Sequence, residues 1–366
     1  MYHSQEEFPR RRAIMNIEQM KVVIKEIITK TDLTPCVVGH RGVGKSAGII
    51  QACREIERQY VSLRLGQMEV GDLVGIPFRD GEVMRWSRPS WWPGDDAAPT
   101  VVHCDELNRA QQEDTLQAIF QFVEPPAEGL SRSLHTHHLS KRHKVVVSIN
   151  PPDGTYQVAT LDRALIDRMV MLFVETDYQC WATYAARREL SGDVRRFLAG
   201  NSGMLARQGA PMELQVEPTE RGWEMVSILR QQCRFPGELE MEVYAGIIGT
   251  EAAITFMRWL ADSKGRPLAA AQILNDWPLV AGQAEQQRDD VQAATINDLV
   301  ATLQAAPILS DEQEANLVAY IAVLPRDLRF GFVKSLLKIP EVALGIAKDR
   351  YDTVIFDAIQ TISREA

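Results

Sequence analysis

The sequence predicts an α/β fold in the first half of the chain, a parallel sheet with helices on both faces, and a helical second half. Over about 160 residues, apolar runs of strand length alternate with segments whose apolar residues recur at helical spacing. Strands that alternate with helices pair in parallel and are buried on both faces. After about Asp177 the strand pattern stops, and proline or glycine separates a series of amphipathic helices.

The predicted elements divide the chain into four segments. Helices are expected at 14–29, at 45–59 and along the apolar face of Leu116, Ile119, Phe120 and Val123, and strands at 35–38, 60–65, 100–104, 145–149 and 169–174. Residues 66–99, rich in Gly, Pro and Trp, predict a long loop. The segments are a polar tail at 1–13, an α/β core at 14–178, a helical region at 179–268 and a further helical region of unassigned role at 269–366.

Composition limits the classes of protein to which the chain can belong. Of the 366 residues, 45% are hydrophobic and 24% are charged, which is typical of a globular protein with a full core. The formal net charge of -9 disfavours a protein that coats nucleic acid, because such a protein needs a basic surface. A basic pore or patch inside an acidic shell stays open.

Cysteine usage and hydropathy bear on the compartment. The five cysteines are scattered and mostly lie in apolar runs, which favours reduced thiols over a disulfide framework. No apolar run approaches the roughly 18–20 residues of a membrane span, and the N-terminal segment lacks the apolar stretch of a signal peptide. We therefore expect a soluble, cytoplasmic protein.

A glycine-rich segment between the predicted strand 35–38 and the predicted helix 45–59 fits the pattern G-x-x-x-x-G-K-[ST]. Its glycines allow successive backbone N–H groups to surround phosphate oxygens, and the following helix contributes the positive end of its dipole. Lys45 is expected to reach the β- and γ-phosphates of ATP, and the Ser46 hydroxyl to ligate Mg²⁺. The predicted phosphate-binding residues are Gly39, His40, Arg41, Gly42, Val43, Gly44, Lys45 and Ser46. The strand–loop–helix context disfavours the alternative, a plain glycine turn.

Two adjacent carboxylates, Asp105 and Glu106, follow the predicted strand 100–104. An apolar strand that ends in carboxylates places them at the carboxyl edge of the sheet, where the sites of α/β proteins lie. Asp105 is expected to hold Mg²⁺ through water, and Glu106 to orient and deprotonate the attacking water. By itself such a pair is commonly a solvated strand end, and its position after the glycine-rich segment favours the catalytic interpretation.

Two further motifs supply polar groups. Asn150 ends the predicted strand 145–149, between the first two strands, where an amide can contact the γ-phosphate or the attacking water. Arg163 and Arg168 follow, and a cation directed at the γ-phosphate of a neighbouring subunit would act as an arginine finger. Taken alone, Asn150 could start a turn before the next prolines, and the arginines could be surface charges on a short helix.

In this order, the four elements resemble the AAA+ superfamily of ATPases. DELNRA (105–110), the Asn-Pro pair at 150–151 and the A-x-x-D-R-M stretch (164–169) are similar to the MoxR-type branch, which includes dynein-related, midasin-like and Rubisco-activase-like ATPases. GDLVGIP (71–77) resembles the loop after the second strand of these proteins, and EPTERGW (217–223) resembles their lid helix. The resemblance covers roughly residues 14–265.

The resemblance implies a homo-hexameric ring that hydrolyses ATP, with Mg²⁺, between subunits. It implies that the ring remodels a protein partner, often one with a von Willebrand A-type domain. It assigns the finger to Arg168 in preference to Arg163, and the lid arginine that contacts the γ-phosphate to Arg221. His40 and Arg41 depart from the family, which often has small residues or proline there, and the resemblance does not extend past about residue 270.

Clusters of histidine and tryptophan leave alternatives open. Four histidines invite a metal hypothesis, yet no Cys or carboxylate stands beside them at a zinc-like spacing: His135, His137, His138 and His143. They lie in a polar insertion at 125–140 and just after it, where the family carries an insertion facing the ring pore, so a polar hairpin is the preferred interpretation. Trp86, Trp91 and Trp92 could grip a partner or pack on the sheet edge.

Two rival functions remain. A nucleic-acid motor or loader could use the same ATPase core, but the acidic charge and the lack of a helix-turn-helix or zinc-finger pattern weigh against it. A degenerate nucleotide-binding scaffold is disfavoured because Lys45, Ser46, Asp105 and Glu106 are all present. The preferred hypothesis is a MoxR-like ATPase with a chaperone-like role.

Overall fold

The chain forms two compact units, Met1–Thr176 and Asp177–Ala366. A computed structural model describes residues 14–110, 113–151, 161–206, 216–236, 239–262 and 265–346. The predicted tail at 1–13 and the end of the chain after residue 346 lie outside these ranges. The first unit ends at Thr176, two residues before the predicted end of the α/β core at 178.

The strands that the structure describes belong to the first unit. Along the described chain they are β1 Ile14–Met15, β2 Thr34–Val38, β3 Gln59–Arg64, β4 Pro77–Asp80, β5 Val83–Trp86, β6 Thr100–Asp105, β7 Arg132–Leu134, β8 His137–Leu139, β9 Lys144–Ile149 and β10 Met169–Val174. The helices of this unit are α1 Ile17–Lys30, α2 Lys45–Glu55, α3 Val70–Val74, α4 Glu113–Val123 and α5 Arg163–Asp167, with 3₁₀ helices at Leu65–Gln67 and Leu107–Arg109.

Six strands form one parallel sheet in the order β1-β10-β2-β9-β6-β3. Alternate side chains of the strands enter two apolar clusters, one on each face. On one face Val37, Val101 and Val146 pack with residues of α1 and α2, and on the other Val102 and Val147 pack with residues of α4. The predicted α/β sheet covered on both faces is confirmed. Because β9 lies between β2 and β6, the carboxyl ends of these three strands are neighbours.

Two predicted helices are shorter than expected. Residues 14 and 15 pair with β10, and α1 begins after Asn16, which caps it: the Asn16 side chain accepts from the Gln19 N–H, and the Gln19 side chain accepts from the Asn16 N–H. At the other boundary α2 ends at Glu55, and Gln59 already pairs with Thr100 in the sheet. Helical periodicity alone did not reveal the strand residues Ile14, Met15 and Gln59 or the helix cap at Asn16.

The segment 66–99, predicted as a long functional loop, includes regular secondary structure. This segment contains α3 and an antiparallel hairpin of β4 and β5. The hairpin turns at Gly81-Glu82, between the paired Asp80 and Val83, and Gly81 has φ 64°, so glycine at the first position of this two-residue turn supplies the positive φ. The polar insertion at 125–140 contains the predicted hairpin, as β7 and β8.

The second unit is helical in its described residues. Its helices are α6 Tyr178–Arg187, α7 Gly192–Gly200, α8 Glu220–Gln232, α9 Leu239–Ile248, α10 Thr250–Ala261, α11 Ala270–Asn275, α12 Trp277–Gln286, α13 Asp289–Ala305, α14 Asp311–Val323, α15 Arg326–Leu336 and α16 Pro340–Ile346, with a 3₁₀ helix at Ser202–Met204. None of the helices that the structure describes combines the length and apolarity needed to cross a membrane.

The predicted division at residue 268 does not separate two compact units. Two apolar clusters lie on either side of it, but α13 packs against α6 and α7 as well as against α11 and α15. Arg195 of α7 also donates to the nearly buried Asp298 of α13, with the Nη2–Oδ1 distance at 2.8 Å. Because removing one member of a buried ion pair is costly, this contact ties the two helical regions together.

Candidate functional site

The glycine-rich segment lies between β2 and α2, at the carboxyl edge of the sheet. Gly42 and Gly44 have φ of 82° and 92°, a left-handed backbone that other residues rarely adopt. At Gly39, a Cβ would lie 2.7 Å from the carbonyl oxygen of Val174. The N-terminus of α2 has no side-chain cap, and the positive end of a helix dipole favours an anion at this position.

The Lys45 ammonium is held inside this segment. Its Nζ donates to the carbonyl oxygens of Gly39 at 2.5 Å and His40 at 3.0 Å. It also donates to Oδ1 of Asn150 at 3.0 Å, which joins the predicted cradle to the end of β9. These three acceptors are neutral, and a phosphate oxygen can replace them with a stronger, charge-assisted hydrogen bond. His40 is half-buried, and Arg41 is exposed.

Asp105 ends β6 beside Ser46, as the sequence predicts for a shared Mg²⁺ site. Its Oδ2 accepts from the Ser46 hydroxyl at 3.1 Å, and its Oδ1 accepts from the Ser148 hydroxyl at 2.5 Å. A hydroxyl and a carboxylate in contact, next to a phosphate-sized cradle, are the oxygen ligands that Mg²⁺ prefers. The residues present therefore fit ATP with Mg²⁺. Ser148, which lies on β9 beside Asp105, was missed by the sequence analysis.

A buried histidine lies next to Asp105 on the same strand. His103 is on the same face of β6, two residues earlier, and is fully buried. Its Nδ1 lies 2.7 Å from the Tyr60 hydroxyl, and its Nε2 lies 3.8 Å from Oδ1 of Asp105. Burial lowers the pKa of His103 to about 4, against a smaller opposing effect of Asp105. Strand alternation from Asp105 is the signal that could have found this residue.

Glu106 adopts a left-handed backbone, with φ 55° and ψ 42°. Its carboxylate pairs with Arg109, one turn later, at 3.1 Å between Oε1 and Nη1. Both side chains are close to half exposed, and exposed pairs contribute about 0–1 kcal/mol. The carboxylate is therefore held only weakly at Arg109.

Asn150 is fixed by a partner that the sequence analysis did not assign. The Asn108 side chain donates from Nδ2 to the Asn150 carbonyl at 2.7 Å, and its Oδ1 accepts from the Asn150 N–H at 3.3 Å. Both residues are nearly buried. This reciprocal pair fixes the backbone from which the Asn150 amide reaches Lys45.

The predicted finger, Arg168, lies at the opposite edge of the sheet. Met169 pairs with Thr34 at the start of β2, whereas the glycine-rich segment follows Val38, and a strand of this length spans about 15 Å. The Arg168 guanidinium donates to the Ala164 carbonyl at 2.6 Å, lies 3.3 Å from a Glu124 carboxylate oxygen and covers the ring of Phe120. The structure thus does not bring Arg168 and Lys45 of one chain together.

The other arginines considered are exposed. Arg163 is the first residue of α5. Arg221 is the second residue of α8, in the second unit, just after the cap Thr219, whose side chain accepts from the Gly222 N–H.

The histidine and tryptophan clusters pack together around the hairpin β7–β8. The His137 ring contacts the Val74 carbonyl at 3.0 Å, and His143 contacts the Thr100 N–H and the Gly94 carbonyl, each at 3.1 Å. The rings of Trp92 and His137 lie 5.5 Å apart, and those of Trp86 and His135 lie 4.3 Å apart. The described ranges hold no group of three or more His, Cys, Asp or Glu side chains suited to a metal. The buried Trp92 and half-buried Trp91 favour packing over partner contact.

Comparison with models of protein families and with curated proteins finds no match for this chain. The interpretation of the site therefore rests on its motifs and geometry.

The buried His103 predicts a pH dependence of folding stability. Its pKa falls from 6.5 to about 4 on folding, so between these values the unfolded chain binds a proton that the folded chain does not. The free energy of unfolding therefore decreases as the pH falls from about 6.5 to 4, by up to roughly 3 kcal/mol from this group.

Denaturant unfolding at pH 7 and pH 5 measures this effect. We expect a smaller difference between the two pH values for His103→Gln than for the unmodified chain. His138→Gln is the matched control, because His138 is exposed, and it should leave the difference unchanged. An undiminished difference in His103→Gln would contradict a neutral, buried His103.

Proposed function

We propose that this chain is an ATP-hydrolysing enzyme of the AAA+ superfamily, similar to the MoxR-type branch. The observation that carries the proposal is the convergence of Lys45, Ser46 and Asp105 at one sheet edge, around a loop whose glycines have the backbone a phosphate cradle needs. The DELNRA and A-x-x-D-R-M motifs support the branch.

Each residue has a proposed role in binding. Lys45 exchanges its contacts with Gly39, His40 and Asn150 for the β- and γ-phosphates, while the N–H groups at the start of α2 hold phosphate oxygens. Ser46 and Asp105 hold Mg²⁺, which supplies charge neutralisation at the phosphates. Asn150 keeps its position through Asn108 and directs its amide towards the γ-phosphate or the attacking water.

Glu106 is the proposed general base. Its carboxylate leaves Arg109, orients a water and accepts the proton that the water loses on attacking the γ-phosphorus, while the bond from that phosphorus to the β–γ bridging oxygen breaks and ADP leaves. The exposed pair with Arg109 is weak enough for this exchange, since its loss costs about 1 kcal/mol or less.

The position of Arg168 supports catalysis between subunits. A guanidinium at the amino edge of the sheet is remote from the carboxyl edge of its own chain but accessible to a neighbour. We propose a closed homo-oligomeric ring, a hexamer by the resemblance, in which Arg168 serves the adjacent site, because head-to-tail interfaces close into rings. Arg221 is the proposed lid contact to the γ-phosphate. The ring would act on a protein partner, for which a von Willebrand A-type domain is the first candidate.

Lys45→Ala and Glu106→Gln are expected to fail differently. Lys45→Ala deletes the ammonium of the cradle and should abolish most ATP affinity. Glu106→Gln should keep the affinity but lose roughly 10²–10⁴-fold in turnover, because an amide cannot accept the proton. ATP binding and steady-state hydrolysis measured on both variants distinguish the two roles.

The control for these variants is Lys144→Ala. Lys144 also donates to a backbone carbonyl, that of Thr31, but at the other edge of the sheet, so this variant should bind ATP normally. Equal loss of binding in Lys45→Ala and Glu106→Gln would show that Glu106 is structural.

Arg168→Ala should bind ATP nearly normally and hydrolyse it about 10³–10⁵-fold more slowly, because a finger acts chiefly on transition-state charge. Lys45→Ala subunits should also be inactive, for a different reason. When the two variants are mixed, some interfaces combine an intact cradle with an intact finger, so partial recovery of ATPase activity is expected.

The mass of the assemblies, with Glu106→Gln and ATP as the reference ring, shows whether mixed rings form. Mixed rings without recovery would assign Arg168 a structural role and make Arg163 the next candidate. A strictly monomeric chain that hydrolyses ATP at full rate would contradict the ring.

A further inference from the structure

His103 has one ring nitrogen with a partner and one without. Nδ1 lies 2.7 Å from the Tyr60 hydroxyl, whereas Nε2 is buried and has no hydrogen-bond partner within the described ranges. Oδ1 of Asp105 lies 3.8 Å from Nε2. A buried polar atom left in this way requires an explanation.

A second histidine shows what a purely structural role looks like in this chain. His143 uses both nitrogens: Nδ1 accepts from the Thr100 N–H, and Nε2 contacts the Gly94 carbonyl, each at 3.1 Å. His103 lies within β6, and its second nitrogen lies 3.8 Å from a carboxylate oxygen of the proposed metal site.

The negative charge of Asp105 favours the tautomer of His103 that carries its proton on Nε2. A neutral imidazole carries one N–H, so if Nδ1 donated to Tyr60, the lone pair of Nε2 would face the Asp105 carboxylate. If Tyr60 donates to Nδ1, the N–H of Nε2 faces that carboxylate instead, and the interaction is attractive. The Ser62 hydroxyl interacts with Tyr60 as well, so it can donate to the phenol oxygen while the phenol donates to Nδ1.

We propose that His103, oriented by the Tyr60 hydroxyl, is a positioning residue for Asp105, with its Nε2–H directed at Oδ1. The proposal rests on the proposed function. It deepens that function because Asp105 is a proposed Mg²⁺ ligand, and its Oδ2 accepts the O–H of Ser46, whose oxygen lone pairs stay available to the metal. At the other carboxylate oxygen, Oδ1, Ser148 donates a hydrogen bond and Nε2 of His103 lies 3.8 Å away, so these two residues fix its position. Such partners of a metal ligand govern the affinity for the metal.

The test separates nucleotide binding from its Mg²⁺-dependent part. Tyr60→Phe keeps the ring and removes the hydroxyl that selects the tautomer. The dissociation constant for ATP is measured with EDTA and with Mg²⁺, and the ratio of the two is the readout. We expect the value with EDTA to be unchanged and the gain from Mg²⁺ to fall about 10-fold.

Tyr244→Phe is the matched control. Its hydroxyl is also lost from a buried ring, where it donates to Glu240 at 2.7 Å, but in the second unit. This variant should keep the full gain from Mg²⁺ even if it lowers thermal stability as much as Tyr60→Phe does.

A full gain from Mg²⁺ in Tyr60→Phe, or an equal loss of affinity with and without Mg²⁺, would overturn the positioning role and leave the proposed function intact. No ATP binding by the unmodified chain under either condition would overturn the proposed function and this inference together. Nitrogen NMR of the histidine rings gives a direct check without nucleotide: a proton on Nε2 of His103 supports the proposal, and a proton on Nδ1 contradicts it.

Discussion

The parallel pairing of β2, β9 and β6 is the constraint on which the site depends. Because these strands run in one direction and lie side by side, their last residues meet at one edge of the sheet. That edge is where Lys45 reaches Asn150 and where Ser46 and Ser148 reach Asp105. Moving any of the three strands by one residue would turn these side chains to the opposite face.

The charged groups proposed to act on ATP lie at two opposite edges of the sheet. The carboxyl edge carries the Lys45 ammonium and the Asp105 carboxylate, held through neutral hydroxyl and amide groups. The Arg168 guanidinium lies at the amino edge, against Glu124 and the face of Phe120. A site that requires both cations is incomplete within one chain, and this separation is the physical reason for proposing catalysis between subunits.

The sequence predicted the parts of the site that are local and left out those that depend on register. The glycine-rich segment, Asp105 and Asn150 each come directly after a predicted strand. Apolar runs, and the glycine or polar residues that end them, were therefore sufficient to find these parts of the site. Asn108 and Ser148 contact partners that are 42 and 43 residues away in the chain, and no local pattern marks such pairs. His103 lies two residues before Asp105 in the same strand, but its partner Tyr60 is 43 residues away. The hairpin β4–β5 was missed for a different reason, since its short strands are exposed on both faces and lack apolar alternation.

Hydrogen exchange of the backbone amides around Gly42–Ser46 tests the central claim most directly. The first N–H groups of a helix have no partners within it, and at α2, which has no side-chain cap, they are the groups that phosphate oxygens would bind. If phosphates bind there, adding ATP with Mg²⁺ should slow exchange at residues 42–46 and leave the turn at Gly81 unchanged. Unchanged exchange at residues 42–46 at saturating nucleotide, or protection elsewhere only, would contradict the claim that this loop is a phosphate cradle.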